Sequence, residues 1–308
     1  MSGKSNRRQF FEKTLGVSAA AAVGGGLAFE DQALMAQLVK RSDSQAGAPP
    51  IVGLQKGDFR GLKVSRLIIG GNLISGSAHA GELLYQSALM THYFNTAKIL
   101  ETWELAERNG INTTLMRCDP HIIEHYNKYR KERGGQLQWI AQSAPEQGDP
   151  VENAKLAADN GAVAIYFHGG RGDNYVEQGR IDDIGEIVGG IKKAGLLAGV
   201  AGHKLETIRA SEEAGIDPDF YMYTVNKVGY LSSDPDEIGN YMKNVTKPWI
   251  GFKVLGAGRD RPTSGFKHAF EKGADFLCVG MFDWQVRDDV KLVKQLLDAG
   301  IERPRAWV

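Results

Sequence analysis

The sequence predicts an eight-stranded α/β barrel of the (β/α)8 TIM type, carried behind an N-terminal signal segment and a linker. Three observations predict it. Short β-branched or apolar runs alternate with amphipathic helical patterns, and the unit recurs eight times from about residue 60. Gly110, Gly161, Gly195, Gly215, Gly273 and Gly300 each stand just past a helical pattern, where the chain turns left-handed. The 308 residues, less a leader and spacer, leave roughly the length of one such barrel.

The first segment is read as a twin-arginine signal over residues 1–29. Arg7-Arg8-Gln9-Phe10-Phe11 pairs two arginines with a following apolar pair, and Lys4 and Lys13 extend the basic flank. Thr14 to Phe29 is rich in Ala and Gly, too short and too weakly apolar to span a membrane but suited to a signal core. Gly26-Leu27-Ala28 offers small residues for cleavage. The expected partner is the twin-arginine export machinery, an address reader and not an anchor. The expected location is periplasmic or extracellular, with no stable membrane span in the mature protein. Residues 30–57 are read as a linker, its polar Arg41–Pro50 stretch ending in two prolines. Residues 58–308 are read as the barrel.

The expected strands are Arg66–Gly70, Asn112–Arg117, Leu137–Ser143, Val163–His168, Leu196–Gly202, Phe220–Val225, Trp249–Leu255 and Phe276–Met281. Helical patterns fall at Ala97–Arg108, Val151–Asn160, Ile184–Ala194, Leu205–Ala214, Pro235–Val245, Thr263–Lys272 and Val286–Ala299. Pro120, Pro150, Pro235 and Pro262 sit near helix starts, where a missing N–H costs nothing. Alternating strands and helices pair in parallel through right-handed crossovers, and eight units favour closure over an open doubly wound sheet. Gly70-Gly71-Asn72 lacks the GxGxxG spacing of a dinucleotide turn.

Lys plus Arg and Asp plus Glu both number 37, which gives no electrostatic case for nucleic acid or an anionic membrane as partner. The two cysteines, Cys118 and Cys278, lie in or beside strands, belong to no metal pattern and read as small buried hydrophobes. The aromatic residues mark no interface, although a homo-oligomer is compatible with the fold.

Chemistry gathers where barrel strands end. In order, the strand ends offer Asn72, then Arg117 with Asp119, then Gln142, His168, His203, Tyr223 with Asn226, Lys253 and Asp283. His168, Lys253 and His203 are the expected acid–base groups, and the other seven are expected to hold a small-molecule substrate or one another. Lys253 breaks an apolar run and is either an ion-pair partner of Asp283 or Asp119, or a base or amine of depressed pKa. Gly256, Gly258, Arg259 and Gly280, after the seventh and eighth strands, are candidates for binding the phosphates of a cofactor. His168, His203 and Asp119 are the candidate ligands for a divalent metal, without a tight metal-binding spacing. His121 and His125, on the helix after the second strand, are expected to face solvent. His79 and Glu82 lie in a segment, Ile74 to Phe94, that is either a lid or surface padding.

Gly61-Leu62-Lys63-Val64-Ser65-Arg66-Leu67, Leu105 to Asn112, Ile191 to Val200 with Asp217-Pro218-Asp219-Phe220, and Val279 to Asp289 together resemble the aldo/keto reductases, thinly but over nearly all of residues 58–300. The resemblance implies a barrel that reduces carbonyls with NADPH through an Asp, Tyr, Lys and His tetrad. His168 matches the histidine. The aspartate and tyrosine have no match, Cys118-Asp119-Pro120-His121 standing where the tyrosine would be, and Gln142 takes the lysine's place. Without lysine and aspartate a tyrosine donor loses its activation. The leading expectation is therefore acid–base chemistry on a small polar, sugar-like or carbonyl substrate. The alternatives are an NAD(P)-dependent oxidoreductase with a rearranged catalytic set and a non-catalytic exported ligand-binding protein.

Overall fold

A computed structural model describes residues 36–37, 47–77, 85–144, 146 and 148–308. The chain divides into two units, 1–39 and 40–308. Of the first, Ala36 and Gln37 are described, helical and exposed. The twin-arginine segment lies outside the described residues, as do His79 and Glu82. Among the described residues no helix is long and apolar enough to cross a membrane.

The second unit opens with an antiparallel hairpin, β1 (Lys56–Phe59) and β2 (Leu62–Ser65). Its turn places Arg60 and Gly61 at φ 54° and 90°, the paired left-handed geometry that suits a two-residue hairpin loop. Eight parallel strands follow: β3 (Leu67–Gly70), β4 (Thr113–Arg117), β5 (Gln138–Gln142), β6 (Ala162–Phe167), β7 (Leu197–Gly202), β8 (Phe220–Thr224), β9 (Trp249–Phe252) and β10 (Phe276–Gly280). They close into a barrel in sequence order, with β10 pairing β3.

The outer layer consists of α1 (Gln86–Tyr93), α2 (Thr96–Arg108), α3 (Pro120–Arg133), α4 (Pro150–Asp159), α5 (Gly169–Glu177), α6 (Ile181–Lys193), α7 (Leu205–Glu213), α8 (Pro235–Met242), α9 (Pro262–Glu271) and α10 (Asp283–Asp298). Asn95, Asp119, Asp149 and Asp234 cap α2, α3, α4 and α8 by accepting backbone N–H bonds, and the four expected prolines occupy first turns. The six helix-ending glycines all take positive φ.

Strand alternation decides what the barrel interior holds. Ile68, Leu115, Ile140, Ala164, Ala201, Met222 and Ile250 point inward and are buried. The hairpin closes the floor: the ring of Phe59 lies 4.8 Å from that of Phe220 and 5.5 Å from that of Phe276, the first residues of β8 and β10. Beside this floor the fully buried Asp275 carboxylate accepts from Arg303 at 2.8 Å and from the Trp249 N–H at 3.0 Å, with Arg305 at 3.3 Å. Arg66 donates to the Asp275 carbonyl at 3.1 Å, and burial pushes its guanidinium down to about 10.

Four features differ from the sequence expectation. The stretch read as linker is docked at its end, where Arg287 donates to the Pro49 carbonyl and the Ile51 N–H to Asn109. Helices α1 and α5 go beyond the expected set: α1 carries almost no apolar periodicity, and α5 opens on four residues of which three are glycine. His125 is buried and not solvent-facing, fixed between Thr96 Oγ1 at 3.0 Å and the His121 carbonyl at 2.7 Å. The strand expected to run to Leu255 stops at Phe252, because Lys253 takes φ 55°.

Candidate active site

At the C-terminal ends of the barrel strands lies a cavity of about 610 Å³. Its base is a single layer: Arg117, Gln142 and Tyr166 pair in register on β4, β5 and β6, two residues beyond the inward-facing Leu115, Ile140 and Ala164. The same alternation carries His168 inward beyond Tyr166 and His203 inward beyond Ala201, and both line the cavity. Lys253 reaches it by the opposite route. Ile250 and Phe252 set the inward parity of β9, so a strand-like residue 253 would face the helices. The left-handed backbone at Lys253 breaks the alternation and brings the amine to the rim. Asn72, Gly258 and Gly280 complete the part of the wall that sequence reasoning anticipated.

The two histidines are held differently. His203 Nδ1 lies 2.8 Å from Asp173 Oδ2. Asp173 is buried on α5 and also accepts the backbone N–H groups of His203 and Lys204 and the Thr207 hydroxyl at 2.7 Å. Burial raises its carboxyl, but the bonds from His203 and Thr207 outweigh burial and hold it below the ordinary value. An ionised Asp173 assigns the proton to Nδ1 of His203 and leaves Nε2 as the acceptor. The His203 ring also packs on Phe252, centroids 5.4 Å apart.

His168 has no such partner. Its backbone N–H donates to Ser143 Oγ at 3.1 Å, and its Nδ1 is buried without a hydrogen bond. Burial first, then the positive fields of His203, Arg117, Arg171 and Lys253, push its imidazole down to about 4. Burial likewise pushes the Lys253 amine down to about 8. The amine lies 5.5 Å from the Phe252 ring and 5.8 Å from that of Tyr230. One rim thus carries a carboxylate-backed imidazole, a neutral imidazole and an amine that titrates near physiological pH.

The remaining anticipated residues stand elsewhere. Asp119 caps α3 through the Ile122 N–H and pairs with Arg117 at 3.3 Å from outside the cavity. The metal candidates His168, His203 and Asp119 are therefore not brought together, and among the described residues no group of three His, Cys, Asp or Glu could hold a metal ion. Tyr223 follows the inward Met222 and so faces outward, its hydroxyl on Ser233 Oγ at 3.1 Å. Asn226 is buried and ties its loop to both backbone groups of Tyr230 at 2.9 Å. Asp283 is fully buried in the first turn of α10, receiving Tyr93 at 2.5 Å and Lys98 at 3.0 Å. Both carboxylates expected as partners of Lys253, Asp283 and Asp119, are thus committed to other groups. Arg259 folds onto the Gly256 carbonyl at 3.0 Å and over the Tyr230 ring, so of the four cofactor candidates only Gly258 and Gly280 line the cavity.

Sequence reasoning missed Asp173, Tyr166, Gln86, Phe252, Phe282 and Gln285. Asp173 had a signal in His168-Gly169-Gly170-Arg171-Gly172-Asp173. A Cβ on Gly172 would lie 2.5 Å from the Ala201 carbonyl, so these glycines let α5 press on β7 and set the carboxylate beneath His203. Segment 74–94 supplies Ser77, Gln86 and Met90 to the wall. Cys278 also lines it, yet burial pushes both its thiol and that of Cys118 up to about 12. Both thiols are expected to resist iodoacetamide at pH 8 and to react once denaturant is added; rapid labelling of the folded chain by mass spectrometry would contradict this.

The reductase tetrad is not assembled. Of its four positions His168 and Gln142 line the cavity, Cys118 and Asp119 are committed to packing and capping, and Gln142 cannot serve as a cation. These residues do not fit the family's way of working with NADPH.

No family model and no curated protein matches the chain. Solved structures do. A Pseudomonas aeruginosa protein named for the aldo-keto reductases aligns over 83% of this chain and 99% of its own, with 16% identity and a TM-score of 0.58. A truncated 3-deoxy-D-arabino-heptulosonate 7-phosphate synthase from Thermotoga maritima aligns over 83% and 96%, with 12% identity and a TM-score of 0.53. A glycerol dehydrogenase from Gluconobacter oxydans aligns over 83% and 98%, with 12% identity and a TM-score of 0.50. At these identities the likeness is one of fold, and the chain is an α/β barrel of the TIM type whose architecture is shared with aldo-keto reductases and with enzymes of other chemistry.

Proposed function

We propose that this chain is an exported barrel enzyme that performs acid–base chemistry on a small polar carbonyl compound, taking a proton from the carbon beside the carbonyl in an isomerisation or elimination. The observation that carries the reading is the contrast between the two histidines on one rim. An imidazole backed by a carboxylate and an imidazole buried without a partner for its Nδ1 suit different roles. His203, oriented by Asp173, presents Nε2 to accept the proton, and the ionised carboxylate stabilises the imidazolium that forms. His168 stays neutral throughout the physiological range and donates a hydrogen bond to the carbonyl oxygen without competing for the proton. Lys253, as ammonium, faces the negative charge that develops on that oxygen.

The pH dependence follows with its sign. Lys253 acts protonated, so the rate is expected to fall as pH rises through about 8. The measurement is proton–deuterium exchange beside the carbonyl across a panel of small aldehydes and ketones. Lys253→Met is expected to be slower and to lack this alkaline limb. A variant that keeps the limb removes Lys253 from the reaction.

A further inference from the structure

The chain as a whole carries equal numbers of acidic and basic residues, but the described lining of its cavity does not. Among the described residues that line it, Arg117 and Lys253 are charged, two more are the imidazoles of His168 and His203, and none is Asp or Glu. Three carboxylates of the surrounding helices do not line the cavity. Asp173 is saturated by His203, Lys204 and Thr207, Asp283 by Tyr93 and Lys98, and Asp119 by the start of α3 and the back of Arg117.

This bears on what the cavity can hold. A neutral sugar brings a hydroxyl donor for every acceptor, and a carboxylate is the strongest acceptor a wall can offer such donors. The described wall offers amides and cations instead. Arg117 is also set for a fixed contact. Its Nε meets Asp119 at 3.3 Å and its Nη2 pairs with Glu146, so two of its three nitrogens are held by carboxylates that do not line the cavity, while Arg117 itself does. Gln142 and Tyr166 flank it in register on the neighbouring strands. A guanidinium held in one plane is a directional partner for an oxyanion.

We propose that the substrate is a small carbonyl compound bearing an oxyanion, a carboxylate or a phosphate ester, and that Arg117 with Gln142 is its anchor at the base of the cavity. The carbonyl part rests on the acid–base reading above; the oxyanion part stands on the charge and geometry of the wall. The contribution of Lys253 is its field, since its amine faces the reacting oxygen.

Titration calorimetry of the full chain tests this with three probes: glyceraldehyde 3-phosphate, pyruvate and the neutral glyceraldehyde. One of the two anions is expected to bind about tenfold or more tightly than glyceraldehyde, with affinity falling as salt is added. Which anion it is separates a phosphate ester from a carboxylate. Arg117→Gln is expected to remove the preference, and the comparison within the unaltered chain serves if that variant fails to fold. The inference is overturned if glyceraldehyde binds as tightly as both anions, if neither anion binds, or if folded Arg117→Gln keeps the preference. Binding is read without turnover. An anion that binds while no substrate exchanges its proton would sink the acid–base reading and leave the anchor standing, and exchange on neutral compounds alone would do the reverse.

Discussion

Replacing His203 by Gln is expected to slow proton exchange on the substrate by about 100- to 10,000-fold while leaving the fold intact. The side chain is only half buried, and its loss opens no void in the barrel core, so the melting temperature of His203→Gln is expected to stay near that of the parent. Asp173→Asn separates orientation from mere presence. The amide keeps the volume, but it can turn its own N–H toward Nδ1 and assign the proton to Nε2. The rate is then expected to fall by nearly as much as in His203→Gln, although a base is still in place. Nitrogen-15 shifts of His203 report the tautomer directly and do not depend on turnover. A histidine protonated at Nε2 in the unaltered chain would contradict the assignment of the base.

Asp275→Ala is expected to destabilise the barrel by about 3–5 kcal/mol. The carboxylate is fully buried and receives Arg303 and the Trp249 N–H, with Arg305 alongside. Removing it leaves two guanidinium groups, each about 5% exposed, without their counter-charge, and Arg66 adds a third cation nearby. The cost is that of cations stranded in a low-dielectric floor and not the net worth of the ion pair. Pairing the change with Arg303→Met is therefore expected to recover part of the loss, because one stranded charge is gone. Urea denaturation measures both. A loss below about 1 kcal/mol for Asp275→Ala would mean that water reaches these groups.

The barrel was legible in the sequence because its signals are local. Eight apolar runs, glycines that end helices and prolines that begin them report backbone preferences that the fold leaves in place. Strand alternation also made part of the rim legible: Arg117, Gln142, His168 and His203 stand two residues beyond inward core positions. What was not legible depends on breaks in that alternation or on contacts across the chain. Lys253 faces the cavity by virtue of a left-handed φ that no pattern of hydropathy marks. Tyr223 and Asp283 carry the right chemistry, but the first has outward parity and the second is covered by Tyr93 and Lys98, whose helices lie far off in sequence. Asp173 acts through His203 thirty residues away, and only the crowding of glycines around it hinted at a close approach.

The central claim is that this rim moves protons and does not transfer hydride. The measurement that tests it most directly is proton nuclear magnetic resonance of anionic carbonyl compounds incubated in deuterium oxide with the chain, alongside nicotinamide absorbance in a parallel sample. The account predicts loss of the signal of the hydrogen beside the carbonyl, dependent on His203 and without consumption of reduced nicotinamide. Oxidation of the nicotinamide coupled to reduction of the carbonyl, with no exchange at the neighbouring carbon, would contradict it.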